Sequence, residues 1–596
     1  MSGAAALDPV VARPGRMPLW LRPRAAWLAV PGLLFLALFF ILPVIQLFGV
    51  SVRDPQTLEF SFAGYRRALG ATVYLRVLQN TFVIAAQTTA LCILFGYPLA
   101  YWLAGLTARV RSRLILLVML PFWTSALVKA FAWLVLLARY GVVARVLGAI
   151  SPTGQAPDLL HGRGAVLMGM THTLLPLAVL TMLPVMLRID RGLISAAGTL
   201  GAARLQGFWR VFFHLSMPGV AAAALLCFIA SLGFFITPAL LGGRRDAMIG
   251  QVIIEQIQAV LDWQFGGALA AMLVGSALLT CLVYDRVFGL SVVAGDGGER
   301  AAGDWLRRIG LAVLAGCGNG FTWISEAAAR VLRGHRFGWV LPCYAVLLIG
   351  FLMIPTLLIL PMAFTSSRFL EFPPPGFGLH WMEVYFGSPL WMSATLRSFA
   401  VAAATAPLAA LIAGAAALAV ARSGPRWGRL VFAVFLGPII VPTIVTAVAQ
   451  FYLFARLSLV ATTLGLVIGH TVIALPICFV AMVAVLKGHD WRLDQAAATL
   501  GASRLRVLRH VTVPLIKGGC LAALLFAFIT SFEELTVALF ISGGLKTTLP
   551  KQMWDDVLMA VNPTLAAASV IVLAVVFALF LIAERLRPPS TQAGRL

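Results

Sequence analysis

Twelve stretches of this 596-residue chain run free of charge, or nearly so, for long enough to cross a lipid bilayer. In the first half they are 25–52, 77–108, 114–128 (continuing to 138 past Lys129), 164–187, 211–243 and 263–284. In the second they are 337–367, 398–421, 430–455, 457–486, 518–532 (continuing to 545 past Glu533 and Glu534) and 557–583. A spanning helix needs about 20 mostly apolar residues to cover a hydrocarbon core of roughly 30 Å. None of the stretches shows the alternating ten-residue pattern of a membrane β-barrel. An all-α integral membrane fold of about 12 transmembrane helices is therefore expected. With 61% hydrophobic and 11% charged residues, the chain cannot hide its apolar side chains in water-soluble cores, which excludes a soluble enzyme, a nucleic-acid binder and a disordered scaffold.

The net charge of +23 then reads as helix-flanking arginine rather than a nucleic-acid surface. With twelve spans and both termini inside, segments on the cytoplasmic side carry 30 of the 45 Lys and Arg residues and those outside carry 13. That bias predicts an N-in, C-in orientation. A thirteenth uncharged stretch, 309–325, is short and interrupted by Gly316, Gly318 and Gly320; it reads as an interfacial or packed piece of a linker. The first apolar run is too long for a cleaved leader and is expected to stay as the first span. Neither the cysteines nor the histidines show metal-ligand spacing, so no metal and no cofactor are expected.

The chain is internally duplicated. Thr199-Leu200-Gly201-Ala202 recurs 300 residues later as Thr499-Leu500-Gly501-Ala502, and Leu175-Pro176, Val211 and Ser231 recur at the same offset. Two six-span halves of equal orientation result, which implies a pseudo-twofold axis along the membrane normal with a path between the halves. The expected division is a basic tail at 1–24, a first half at 25–289, a cytoplasmic linker at 290–336, a second half at 337–586 and a tail at 587–596.

After the fourth span of each half comes a cytoplasmic stretch rich in small residues, Ser195-Ala196-Ala197 through Gly201 and Gln495-Ala496-Ala497 through Gly501, the second continuing to Val513-Pro514. Small residues and one glycine let a short helix turn and a partner approach closely. This paired pattern resembles the EAA loops of bacterial ABC-importer permeases, the second copy more closely through Ala496, Ala497, Gly501 and Pro514. Ser195 and Gln495 stand where the family has glutamate. The first half also resembles one subunit of the spermidine/putrescine permease pair in Pro121-Phe122-Trp123-Thr124 and Asp262-Trp263, and the second resembles its partner in Ser531-Phe532-Glu533-Glu534. The resemblance implies a fused pair of permease halves in a bacterial inner membrane, a separate ATPase (as a dimer) docked on the two loops, and a periplasmic solute-binding protein. It also implies a small solute, polyamine-like or alternatively iron(III), an opine or aminoethylphosphonate. Glu326-Ala327-Ala328-Ala329 spells the same motif in the linker, but Leu332 occupies the glycine position.

Ionisable residues at membrane depth usually face a cavity or a partner. Lys129, Glu533 and Glu534 qualify, and with Trp123, Asp262 and Trp263 they are the candidate lining of the substrate path. A structural pairing of either glutamate with Lys129 is the competing reading. Phe234 and Thr443 stand where the related permeases often carry an acid, which weakens a polyamine assignment. No Gly-Lys dipeptide occurs, so the chain has no GxxxxGK[ST] phosphate loop and is not expected to be an enzyme. A six-plus-six secondary transporter is the alternative, but residues 106–113 lack its acidic signature and it leaves the paired loops unexplained.

Overall fold

The computed structural model describes residues 26–288, 316 and 339–585, except 140, 152–157, 202–203, 370, 545 and 560–561. The two tails, nearly all of the expected linker and the Glu326–Ala329 motif lie outside the described residues. The first half consists of α1 (Trp27–Ser51), α2 (Ala63–Gly70), α3 (Thr72–Gly105), α4 (Ala108–Trp123), α5 (Ala126–Leu137), α6 (Val142–Ile150), α7 (Arg163–Leu187), α8 (Gly192–Thr199), α9 (Phe208–Leu232), α10 (Ile236–Leu241), α11 (Ile249–Gln258) and α12 (Trp263–Phe288). The second consists of α13 (Val340–Ala363), α14 (His380–Gly387), α15 (Pro389–Arg422), α16 (Pro425–Ile440), α17 (Thr443–Arg456), α18 (Thr463–Lys487), α19 (Trp491–Thr499), α20 (Arg504–Phe532), α21 (Thr536–Ile541), α22 (Leu549–Met559) and α23 (Thr564–Arg585). Among the described residues, eleven helices are long and apolar enough to cross a membrane, or twelve when α16 and α17, bent by 95° at their junction, count as one span. The all-α membrane fold expected from the charge-free stretches is what the chain adopts, with no strand among the described residues.

Each half is built on a triad of long helices, α3–α7–α9 and α15–α18–α20. Lipid tails are as apolar as leucine, so packing between membrane helices depends on close approach of small residues. In α15 the buried face is largely alanine, including Ala402, Ala406, Ala409, Ala413 and Ala416. Gly519 of α20 sits so close to α18 that a β-carbon there would lie 2.2 Å from the Val485 side chain, and its counterpart Gly219 sits 3.0 Å from Val185 in the same sense. A side chain at either glycine would push the fourth and fifth spans apart.

The first span of each half packs on the other half. Helix α1 lies along α15, α16 and α17, where Gln450 Nε2 donates to the Phe39 carbonyl at 3.2 Å. Helix α13 lies along α3, α4 and α5, where the Tyr344 hydroxyl donates to the Phe95 carbonyl at 2.8 Å and His172 Nε2 meets the Leu352 carbonyl at 3.0 Å. This exchange knits the halves into one body and leaves their facing surfaces to the broken helices described next.

Candidate functional site

Four helix breaks lie at the interface between the halves, in two pairs. The third spans break between α4 and α5 at Thr124-Ser125 and between α16 and α17 at Val441-Pro442; the fifth break between α9 and α10 at Gly233–Phe235 and between α20 and α21 at Glu533–Leu535. Each fifth-span break meets the third-span break of the opposite half. A β-carbon on Gly233 would lie 3.3 Å from Pro442, and Glu533 lies within electrostatic reach of Lys129. Non-helical backbone at membrane depth persists only where protein buries it or where it lines a cavity, and here each fifth-span break lies against the opposite half.

The two adjacent glutamates have different surroundings. Glu534 Oε2 accepts the backbone N–H groups of Val537 at 2.8 Å and Ala538 at 3.2 Å, capping α21, and lies 3.7 Å from His470 Nε2. His470 Nδ1 in turn meets the Ser531 hydroxyl at 2.9 Å. Glu534 thus serves its own half. Glu533 lies within electrostatic reach of Lys129 in the other half without forming an ion pair with it among the described residues, and its buried Oε1 has no hydrogen-bond partner there. Lys129 is 3% exposed and donates to the Pro121 carbonyl at 3.1 Å. Ser125 caps the helix that carries it by accepting the Leu127 N–H at 3.2 Å. A carboxylate left part-paired at this depth costs about 3 kcal/mol on insertion scales, which water, Lys129 or a passing cation can offset.

Below Glu533, toward the end of the bundle that carries α8 and α19, a cavity of about 310 Å³ separates α4 from α20 and α23. Trp123 lines it with Ile529 and packs in tilted geometry against Phe580, ring centroids 4.9 Å apart. Trp123, Lys129 and Glu533 therefore follow one another along the interface between the halves. Asp262 and Trp263 occupy a separate cluster. Asp262 accepts the Phe265 N–H at 3.0 Å, capping α12, and pairs with Arg67 at 2.9 Å. Trp263 packs in tilted geometry against Phe451 and Tyr452 of the second half, with ring centroids 5.5 and 5.4 Å away.

The two small-residue loops are near-copies of each other. Asp490 caps α19 by accepting the Arg492 N–H, and Asp190, two residues before the start of α8, accepts the Gly192 N–H. Thr199 and Thr499 each donate back to the carbonyl three residues earlier, Ala196 and Ala496, at 2.8 and 2.7 Å. Both helices end on a left-handed glycine, Gly201 at φ +87° and Gly501 at φ +85°, a conformation that L side chains adopt only at a cost. Ser195, Ala196, Gln495 and Ala496 face outward, Ala197 and Ala497 are half-buried against the body, and Pro514 is exposed at the start of the fifth span. Leu200 and Leu500, each 88% exposed, form matched apolar knobs at the tips. Sequence reasoning passed over these two leucines; their signal was the repeated Thr-Leu-Gly-Ala, in which an apolar residue precedes an exposed turn glycine. It also passed over Asp494, the one buried residue of α19.

Residues 93–292 and 406–589 each match the family described as the inner membrane component of binding-protein-dependent transport systems. The chain belongs to that family. It is a fused, two-half permease of the ABC-importer type, a transport subunit of the inner membrane rather than an enzyme. The spermidine/putrescine transport system permease protein PotB of Escherichia coli K12 is 33% identical over 257 residues, covering 42% of this chain and 93% of that protein. PotC of the same system and strain is 29% identical over 244 residues, covering 41% of this chain and 89% of that protein. A bacterial alginate ABC transporter, solved in complex with an alginate-bound periplasmic protein, aligns at 18% identity and a TM-score of 0.39, covering 48% of this chain and 100% of that one.

Proposed function

We propose that the permease conducts a small organic cation of polyamine type, delivered by a solute-binding protein and driven by an ATPase dimer that docks on α8 and α19. The observation that carries the solute class is the Glu533 carboxylate at the meeting of the helix breaks, with one oxygen unpartnered. An ammonium group passing there would gain a charge-assisted contact where desolvation makes it strong. The relatives named for spermidine and putrescine support the same reading. Lys129 beside Glu533 favours one second reading, a zwitterion such as an opine or aminoethylphosphonate, whose anionic group would face the lysine. Isothermal titration of the cognate binding protein with spermidine, putrescine and 2-aminoethylphosphonate separates the two. Tight binding of the phosphonate alone would end the polyamine assignment.

The coupling role rests on the paired knobs and turns. Ser195, Ala196, Ala197 and Gly201 in the first loop, and Gln495, Ala496, Ala497, Gly501 and Pro514 in the second, form the surface on which the ATPase docks. The basic bias supports a cytoplasmic position for this surface, both tails and the 290–336 linker. In a chain freed of reactive native cysteines, Leu200→Cys and Leu500→Cys are expected to react with an impermeant maleimide only from the cytoplasmic face. Phe60→Cys and Phe377→Cys, both well exposed at the opposite end, should react only from outside. Labelling of position 200 and position 500 from opposite sides would overturn the orientation.

A further inference from the structure

The two coupling helices stand on different foundations. Asp494 of α19 is 7% exposed, whereas α8 buries no residue at all. The Asp494 carboxylate receives three groups: Arg422 Nη2 from the end of α15 at 3.4 Å, the Thr512 hydroxyl from the wide turn that opens the fifth span, and the His489 imidazole. Trp491 closes the cluster, with the Arg422 guanidinium 4.8 Å above its ring and His489 edge-on at 4.7 Å. The second, fourth and fifth spans of the second half thus converge on one carboxylate of the coupling helix.

In the first half the matching positions are Gly105, Ile189, Arg191, Ile194 and Phe212, so the acid, its arginine and its threonine are all replaced. Ile194 packs among Phe208, Phe212 and Tyr101. Beside it, among the described residues, lies a cavity of about 640 Å³ lined by Tyr97, Tyr101, Arg191, Ile194, Phe208 and others. An apolar contact beside open space yields under load; a carboxylate held by three directional partners resists it. The acid that the family carries in its EAA motif is missing at Gln495, and its neighbour Asp494 turns an acid inward, to the body rather than to the partner.

We infer that Asp494 is a positioning residue that locks α19 to the second half, so that movement of the ATPase enters the permease mainly through the second coupling helix while the first yields. This rests on the coupling role of α8 and α19 proposed above. The test uses the full chain assembled with its ATPase in proteoliposomes, with the native binding protein carrying its own solute, and reads the ratio of binding-protein-stimulated to unstimulated ATP hydrolysis. In assembled complexes Asp494→Asn is expected to lower that ratio at least fivefold and Thr512→Val about twofold. Asp494→Glu should restore most of it, and Ile194→Ala, the matched change in the first half, should cost less than half as much as Asp494→Asn. If Asp494→Asn fails to assemble, Thr512→Val decides. A wild-type ratio in Thr512→Val and Asp494→Asn, or an equal loss at Ile194 and Asp494, overturns the proposal. Gly501→Trp in the same preparation keeps the two readings apart. If it uncouples while Asp494→Asn does not, only the anchor fails; if neither uncouples, the coupling surface itself is misplaced and the anchor falls with it.

Discussion

Replacing Gly501 by tryptophan is expected to reduce solute uptake to background while the membrane-embedded body stays folded. The glycine sits at φ +85°, and a β-carbon built on it meets nothing within 4 Å. The first consequence is backbone strain alone, about 1–2 kcal/mol for an L residue in the left-handed region. Gly501→Ala isolates that cost, and a loss of roughly fivefold in coupled activity is expected from it. Tryptophan adds bulk on the outward face beside Leu500, where the ATPase would close on the loop. Gly201→Trp should do the same to a smaller degree, because the first coupling helix is the less firmly held. Co-purification of the ATPase, uptake and binding-protein-stimulated hydrolysis, measured on the series Ala, Val, Trp at each glycine, give the check. Wild-type uptake in the double Gly201→Trp/Gly501→Trp variant would remove the coupling assignment.

Glu533→Gln is expected to lower uptake by at least tenfold with unchanged expression and a melting temperature at or above that of the wild type, and Glu534→Ala to show the opposite signature. The glutamine variant removes the charge proposed to meet the solute but keeps the shape, and it relieves a carboxylate whose burial costs about 3 kcal/mol; the fold loses nothing by it. Glu534 accepts two backbone N–H groups at the start of α21, so its removal leaves two buried donors unpaired at a cost of about 2 kcal/mol or more. Melting temperature and uptake, measured for both variants alone and with Lys129→Gln, separate the roles. Recovery of uptake when Lys129→Gln is added to Glu533→Gln would show that the pair is structural and end the assignment of Glu533 to the substrate path.

These two expected outcomes assign different roles to two residues that the sequence alone does not distinguish. Glu533 and Glu534 are neighbours following fifteen uncharged residues, and helical spacing separates them by about 100° without indicating which turns inward. The chain stops being helical at Glu533, so the spacing argument lapses where it was needed, and the start of α21 captures Glu534 instead. Asp262 illustrates the same limit. It resembles a residue of the related permeases, yet in the fold its two oxygens are taken by the N-terminus of α12 and by Arg67. Lys129 was legible as an outlier, a lone charge within an apolar run, because desolvation makes such a residue costly wherever it lands.

Span number, the duplication and the two loops were all readable from local order, for physical reasons that do not depend on packing. A bilayer imposes its thickness on any chain that crosses it, so twelve long uncharged stretches mean about twelve helices. A turn that needs φ near +85° selects glycine whatever surrounds it, and the repeated Thr-Leu-Gly-Ala carries that requirement twice. The tertiary structure decided what depends on neighbours distant in sequence. The exchange of first spans between the halves arises from packing of small-residue surfaces that look alike in any apolar segment. The meeting of Glu533 with Lys129 joins residues some four hundred positions apart, and the Asp494 cluster joins the ends of three spans with one carboxylate. Neither has a local signature, because a charge at a given position reads the same whether its partner lies one turn away or across the pseudo-twofold axis.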